Sequence, residues 1–382
     1  MEQLPESGEQ PEVTATPEAI EQQIEQLDVE PSEQERSEKL AEIKERISRS
    51  YQTDKVDSAA LPEFLFGDFT GAEILDGKIR VSPEVLQQLK PRLNAIKAKD
   101  NFKLPSLTRG TPTATEYDSA VENWSTRTAI IKTADGKRVF AVDSYPSSQI
   151  HRWADGLGRR LSGLKFAKVS NKRWKSVFES RSNVPLIEND DPRVVLMPYL
   201  PNINLQDLMR RNHEIKDFGE CGWAKGLDFE GKQEIIDQAV DRVSETHQRG
   251  DAWGEAILNN MIITKEKQVI MCDPETLYDP DVPQLQRMSS DLRDFTFSAS
   301  AALLKSGDVS DPVGVVKRIL DRYGNAEVIE ELKRRVGQKP SLIQRIMIPI
   351  FERVRLGFSN KREYDNITNA ILQYGQEEGK ST

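Results

Sequence analysis

The sequence predicts a two-lobed α+β fold, a hairpin-rich small lobe followed by a helical large lobe. Three observations carry that expectation. Residues 126–144 hold two β-prone runs joined by Asp135-Gly136, a strong short-range hairpin signal. Residues 231–249 place Ile235, Ile236, Ala239, Val240, Val243 and His247 on one face at helical spacing. From Ser289 onward the pattern is helical. Strands crowded in the middle and helices at the end make an α+β arrangement.

The elements follow in order. Residues 1–57 read as a disordered acidic tail ending in a short charged helix. Residues 1–32 are rich in Glu, Gln and Pro without an aromatic, so they cannot bury enough surface to offset ordering. Over 33–50 only Leu40, Ile43 and Ile47 form a narrow apolar stripe, which fits a solvated helix. Residues 58–109 form an α-rich lead-in. There Phe64, Leu65, Phe66 and Phe69 cluster, and Val81-Ser82-Pro83-Glu84 opens a helix with Ser as cap and Pro in the first turn. The small lobe spans 110–200, with a mixed basic stretch over 147–180 expected to be helical and a strand at Val194–Tyr199. The large lobe spans 201–325, and 326–382 form a helical extension.

Composition excludes some classes. The net charge of −9 equals the nine acids of residues 1–30, a stretch with no Lys or Arg, so the body is balanced and announces no nucleic-acid partner. The acidic tail is the candidate contact for a protein partner. There is no apolar run long enough to span a membrane and no signal peptide at the N-terminus. Cys221 and Cys272 make neither a zinc spacing nor a disulfide framework, and the expected location is cytoplasmic. In the stretch Leu342–Phe358, Arg345, Arg353 and Arg355 intersperse apolar residues, as they would in a helix lying on an anionic membrane surface. Pro349 interrupts it, and packing on the large lobe is the commoner origin.

Chemistry gathers after the long helix. Trp253-Gly254-Glu255 follows it, Asn260 stands five residues beyond Glu255, and Asp273 comes thirteen residues later, across a short hairpin. Such a hairpin sets the Asn and the Asp at the ends of neighbouring strands. Each residue also has a plain structural reading. Asn260 suits a turn, Asp273 a strand end, Trp253 core packing and His247 a buried brace.

In that context the pattern resembles the protein-kinase-like superfamily, in particular its bacterial aminoglycoside phosphotransferase, choline kinase and lipopolysaccharide-core kinase branch. The resemblance covers about residues 110–325 and implies a two-lobed protein-kinase-like fold using ATP and Mg²⁺. It makes Glu255 the catalytic base and Asn260 and Asp273 the metal ligands. It lays Met197-Pro198-Tyr199 against adenine, with Met197 and Tyr199 as nucleotide contacts. It makes Asp291 the leading residue of the next helix, capping that helix and bracing the loop.

The departures are as informative. Asp143 stands where the family places its phosphate-binding Lys, and Glu116–Thr126 contains no glycine. Arg159 and Arg160 stand where a Glu is expected. Either Asp143 forms a reversed ion pair with one of these arginines, or Lys132 supplies the cation from the adjacent strand. Glu255 is one methylene longer than the aspartate it replaces, which moves its carboxylate roughly 1.5 Å, and misplacements of about 1 Å can cost on the order of 10²-fold. The expected function is an atypical phosphotransferase acting on a hydroxyl of an unidentified acceptor: a sugar, a lipid-linked glycan, a small molecule or a protein. The alternative is a pseudokinase scaffold. A purely structural α+β protein is a third class.

Overall fold

In the computed structural model, residues 61–75, 78–97, 120–122, 127–143, 171–211, 215, 218–274, 276–279, 281–339, 352–353 and 355–376 are described. Met1–Gln52 and Thr53–Thr382 are separate units, and all the described residues belong to the second. The readings made for the acidic tail, the 33–50 helix, Arg159, Arg160 and Leu342–Phe351 lie outside the described residues.

The lead-in starts with a 3₁₀ segment, Glu63–Phe69, kinked at Gly67 (φ 51°). A hairpin of β1 (Ile74–Leu75) and β2 (Lys78–Ile79) leads into α1 (Pro83–Lys97), which starts at the proline the sequence marks. Next come β3 (Ala120–Glu122), β4 (Arg127–Lys132) and β5 (Arg138–Asp143). The β4–β5 turn carries Gly136 at φ 89°, the left-handed backbone for which glycine is suited. Helix α2 (Asn171–Arg181) precedes β6 (Leu186–Ile187) and β7 (Val194–Pro198).

These strands form one sheet in the order β1-β2-β6-β7-β5-β4-β3, antiparallel except where β2 pairs β6. Strand alternation gives it two apolar faces. Val139, Ala141, Val194 and Leu196 pack with Phe66, Phe69, Leu89 and neighbours of the lead-in. Val142, Val195 and Met197 pack on Trp174 and Phe178 of α2, with Phe140 beside them. The lead-in therefore completes the small lobe by covering the face that α2 leaves open.

The large lobe begins with β8 (Asn202–Asn204) and α3 (Leu205–Arg211). Helix α4 (Phe229–Gln248) is capped by Asp228, which accepts from Gly231 N at 2.9 Å. Its buried face carries Ile235, Ile236, Ala239, Val240, Val243 and His247, as the spacing predicts. The hairpin of β9 (Met261–Thr264) and β10 (Val269–Met271) adds to β8 as a second sheet. Helix α5 (Gln284–Ser306) is buried almost all round and ends at Gly307 (φ 81°). Around it pack α6 (Val313–Tyr323), α7 (Ala326–Val336) and α8 (Lys361–Gln373). No described helix is long and apolar enough to cross a membrane.

Candidate functional site

The loop after α4 is held by its backbone. Asp291, fully buried, accepts from the amides of Trp253 and Gly254 (the latter at 3.0 Å) and from Tyr278 Oη at 2.8 Å. His247 Nε2 lies 3.3 Å from Asp291 Oδ2, and its Nδ1 lies 2.7 Å from Tyr323 Oη. A neutral ring donating through Nε2 and accepting at Nδ1 satisfies both contacts. Burial, with the Asp291 charge second, raises both tyrosine hydroxyls above their usual range, which keeps them protonated donors. His247 is thus a brace, as expected. Asp291 braces the loop but does not cap its helix. It sits inside α5, which starts at Gln284 because Pro283 sets the first turn.

Gly254 has φ 104°, and a Cβ there would lie 2.2 Å from Thr276 O. The loop and the segment following Asp273 are therefore in backbone contact, an approach only glycine permits. Trp253 is 3% exposed, and its Nε1 donates to Cys272 O at 3.1 Å, so the tryptophan joins loop to hairpin.

Glu255 is bound at every oxygen. Oε1 accepts from Arg355 Nε at 3.0 Å and Oε2 from Thr276 Oγ1 at 3.1 Å. Its backbone carbonyl accepts from Asn260 Nδ2 at 3.0 Å and from Ile257 N at 2.8 Å. The first of these fixes the Asn260 amide, since only Nδ2 can donate, and leaves Oδ1 as the acceptor atom. Across the hairpin, Cys272 N donates to Asn260 O at 2.8 Å, so Asp273 follows one residue beyond a direct tie to Asn260. Asp273 has φ 63°, an uncommon conformation that Asp tolerates better than most residues. The donor set, one carboxylate and one oriented amide oxygen, fits Mg²⁺ when phosphate and water complete the shell. Among the described residues no three His, Cys, Asp or Glu side chains gather into a metal site of their own. The Cys272 thiol, pushed up to about 12 by burial and by Asp273, is not a reactive group at neutral pH.

Arg355 belongs to a network that sequence reasoning missed. Its guanidinium also binds Asp294, and it lies 3.5 Å from Glu352. Arg293 lies beside the same two carboxylates at 2.9 and 3.1 Å. Two guanidiniums and three carboxylates thus share one cluster. Glu255 is its outer member, with a side chain 20% exposed against 2% for Asp294 and Glu352. Arg355 reads in the sequence as part of a basic apolar stretch. The available signal was Glu352, one helical turn before it. Leu356 and Phe358 are buried in the large-lobe core.

The small-lobe residues are arranged differently from one another. Met197, 8% exposed, lies on the α2 side of the sheet. Tyr199 is 4% exposed, its N donates to Arg138 O at 3.1 Å, and the Arg138 guanidinium stacks 5.0 Å from its ring. Lys132 is exposed, at the turn end of β4, opposite Arg138, whereas Arg127 lies opposite Asp143. Five strand residues span about 17 Å, so Lys132 and Asp143 occupy opposite ends of the β4–β5 pair. Asp143 is 3% exposed and pairs with Arg193 Nη2 at 3.1 Å. Arg193 stands just before β7, and the pairing read for Asp143 with Arg159 or Arg160 falls outside the described residues. Alternation also puts Asp143 on the Val139–Ala141 side, away from α2, whose side of β5 carries Phe140 and Val142.

Arg181, the last residue of α2, is a second residue that sequence reasoning missed. Its side chain is 2% exposed. Nη1 donates to Pro274 O (2.9 Å) and Thr276 O (3.0 Å), and Nη2 to Ala252 O (2.6 Å) and Trp253 O (3.1 Å). No sequence spacing announces such a contact, because its acceptors are backbone carbonyls.

No family model and no curated protein matches the chain. Among solved structures it is similar to an apo pseudokinase (15% identity, covering 79% of this chain and 100% of that one, TM-score 0.30). It is similar also to the pseudokinase DRIK1, drought responsive inactive kinase 1, bound to ENMD-2076 (15%, 79% and 99%, TM-score 0.30). A third is the pseudokinase domain of BIR2, an immune regulator of the RLK/Pelle family (14%, 77% and 93%, TM-score 0.30).

Proposed function

We propose that this chain is a kinase-like scaffold, a pseudokinase that keeps the loop architecture of a phosphotransferase without transferring phosphate. One observation carries the reading: both carboxylate oxygens of Glu255 are engaged, one by Arg355 and one by Thr276. A general base must turn an available lone pair towards the acceptor hydroxyl, and the two bonds each take one lone pair and hold the carboxylate in a fixed orientation. Here proton uptake by Glu255 would forfeit a charge-assisted bond to a guanidinium that two further carboxylates hold in place. On this reading the site works through its conformation and through protein contacts, for which the acidic tail is a candidate.

A second reading, the atypical phosphotransferase, draws on Asn260 and Asp273. The Asn260 amide is oriented by Glu255 O, and Asp273 holds a left-handed backbone. Strain of that kind gathers at functional sites. These two residues would hold Mg²⁺, whose chemistry would be charge neutralisation at the phosphates of ATP. Glu255 would orient the acceptor hydroxyl after leaving Arg355, and Met197 and Tyr199 would border the adenine.

The deciding experiment has two parts. Thermal-shift titration with ATP, with and without Mg²⁺, reads binding, since a ligand at 100 times its Kd adds about 2.7 kcal/mol. Release of γ-phosphate to water or to a panel of hydroxyl acceptors reads transfer. The scaffold reading expects no transfer at millimolar ATP, with or without binding. Transfer by the wild type that Glu255→Gln removes would overturn it in favour of the second reading.

A further inference from the structure

We infer that Arg181 is an interlobe tie, making the position of α2 and the conformation of the Ala252–Glu255 loop one coupled element. Among the described residues, the side of β5 that faces α2 carries Phe140 and Val142 and offers α2 no lysine. The contact between α2 and the loop is made instead from the helix end. One guanidinium binds four carbonyls drawn from two segments, 252–253 and 274–276. Asp251 Oδ2 lies 3.7 Å away, and the Trp253 ring lies 5.4 Å from the guanidinium carbon.

The geometry makes the tie all-or-none. Arg181 is buried, and its Nε has no hydrogen-bond partner, so no bond at that atom offsets the loss of the others. A planar fork fits this set of carbonyls in one orientation. Displacing α2 would break four charge-assisted bonds at once and leave buried carbonyls without donors. The two segments it joins are themselves locked together by the Gly254–Thr276 backbone approach and by Thr276 Oγ1 on Glu255. Movement of α2 is therefore transmitted to the carbonyl side of the loop whose amide side Asp291 holds. Along its length α2 is gripped by the sheet, through Trp174 and Phe178, and by Glu179 with Lys78 at 2.9 Å. A partner that moves the small-lobe sheet would thus reach the loop through one side chain. The inference holds whether or not the site transfers phosphate.

Native-state hydrogen exchange of the full chain at increasing, sub-denaturing urea tests this. In the wild type, amides of Val177–Arg181 and of the 252–258 and 276–278 segments are expected to merge into one opening isotherm, distinct from global unfolding. In Arg181→Lys, which keeps the charge but loses the fork, both sets should exchange roughly tenfold or more faster and by the same factor, while Leu292–Leu303 of α5 stays unchanged. Separate isotherms in the wild type, or faster exchange of the loop alone in the variant, would overturn the coupling. If Arg181→Lys does not fold, the wild-type isotherms decide alone.

Discussion

Arg355 Nε donates to Glu255 Oε1 at 3.0 Å, and the same guanidinium binds the buried Asp294. A residue near the C-terminus therefore sets the state of the loop carboxylate. The two ends of this ion pair are not equivalent. Arg355 serves three carboxylates, whereas Glu255 is the most exposed of the three. Arg355→Met should cost about 3–5 kcal/mol, because it leaves buried charge uncompensated. Glu255→Gln should cost only about 1 kcal/mol, since the amide still accepts from Thr276. Urea unfolding of both variants checks this, and equal costs would contradict the proposed asymmetry.

Two glycines separate backbone strain from collision. Gly136 and Gly254 both have positive φ, 89° and 104°. An added Cβ at Gly136 meets nothing within 4 Å, whereas at Gly254 it meets Thr276 O at 2.2 Å. Gly136→Ala should cost about 1–2 kcal/mol from the left-handed conformation alone. Gly254→Ala should cost clearly more, and thermal melts of the two variants give the comparison.

Acid sensitivity is expected at Asp68. Arg138 donates to it from the side chain at 2.8 and 2.9 Å and from the backbone at 2.9 Å. The side-chain bond is the main reason the Asp68 carboxyl lies below its ordinary 3.8, against an opposing contribution from burial. A carboxylate with a depressed folded pKa contributes stability that is fully present above 3.8 and lost as pH falls through the folded value. Asp68→Asn should therefore lower the melting point at pH 7 and narrow its gap from wild type as pH drops below 3.8. A gap that stays constant would remove this pair from the acid response.

Asp273→Asn tests the metal pair. Both residues tolerate a left-handed backbone, so the melting point without ligand should change little. If ATP with Mg²⁺ stabilises the wild type, the Mg²⁺-dependent part should vanish in the variant. An unchanged metal response would exclude Asp273 as a ligand.

Much of the fold was legible in the sequence because it rests on local chemistry. Asp135-Gly136 specifies its turn, Ser82-Pro83 its helix start, and the periodicity of 231–249 its buried face, each within a few residues of chain. The spacing from Glu255 to Asn260 to Asp273 was legible as well, and the structure joins Glu255 O to Asn260 and Asn260 O to the residue before Asp273. What the sequence could not show was which groups occupy those residues. Arg355 reaches Glu255 from 100 positions away, and Arg181 reaches Trp253 O from 72 away. Neither contact has a period or a local signature, because an arginine selects its acceptors only after packing has placed them. Strand alternation likewise turned Asp143 away from α2, a choice of face that its position at a strand end does not announce. The sequence by itself determined the elements and the spacing of the loop. Only the tertiary structure decided the partners and freedom of Glu255, because burial and long-range ion pairing exist only once the core has closed.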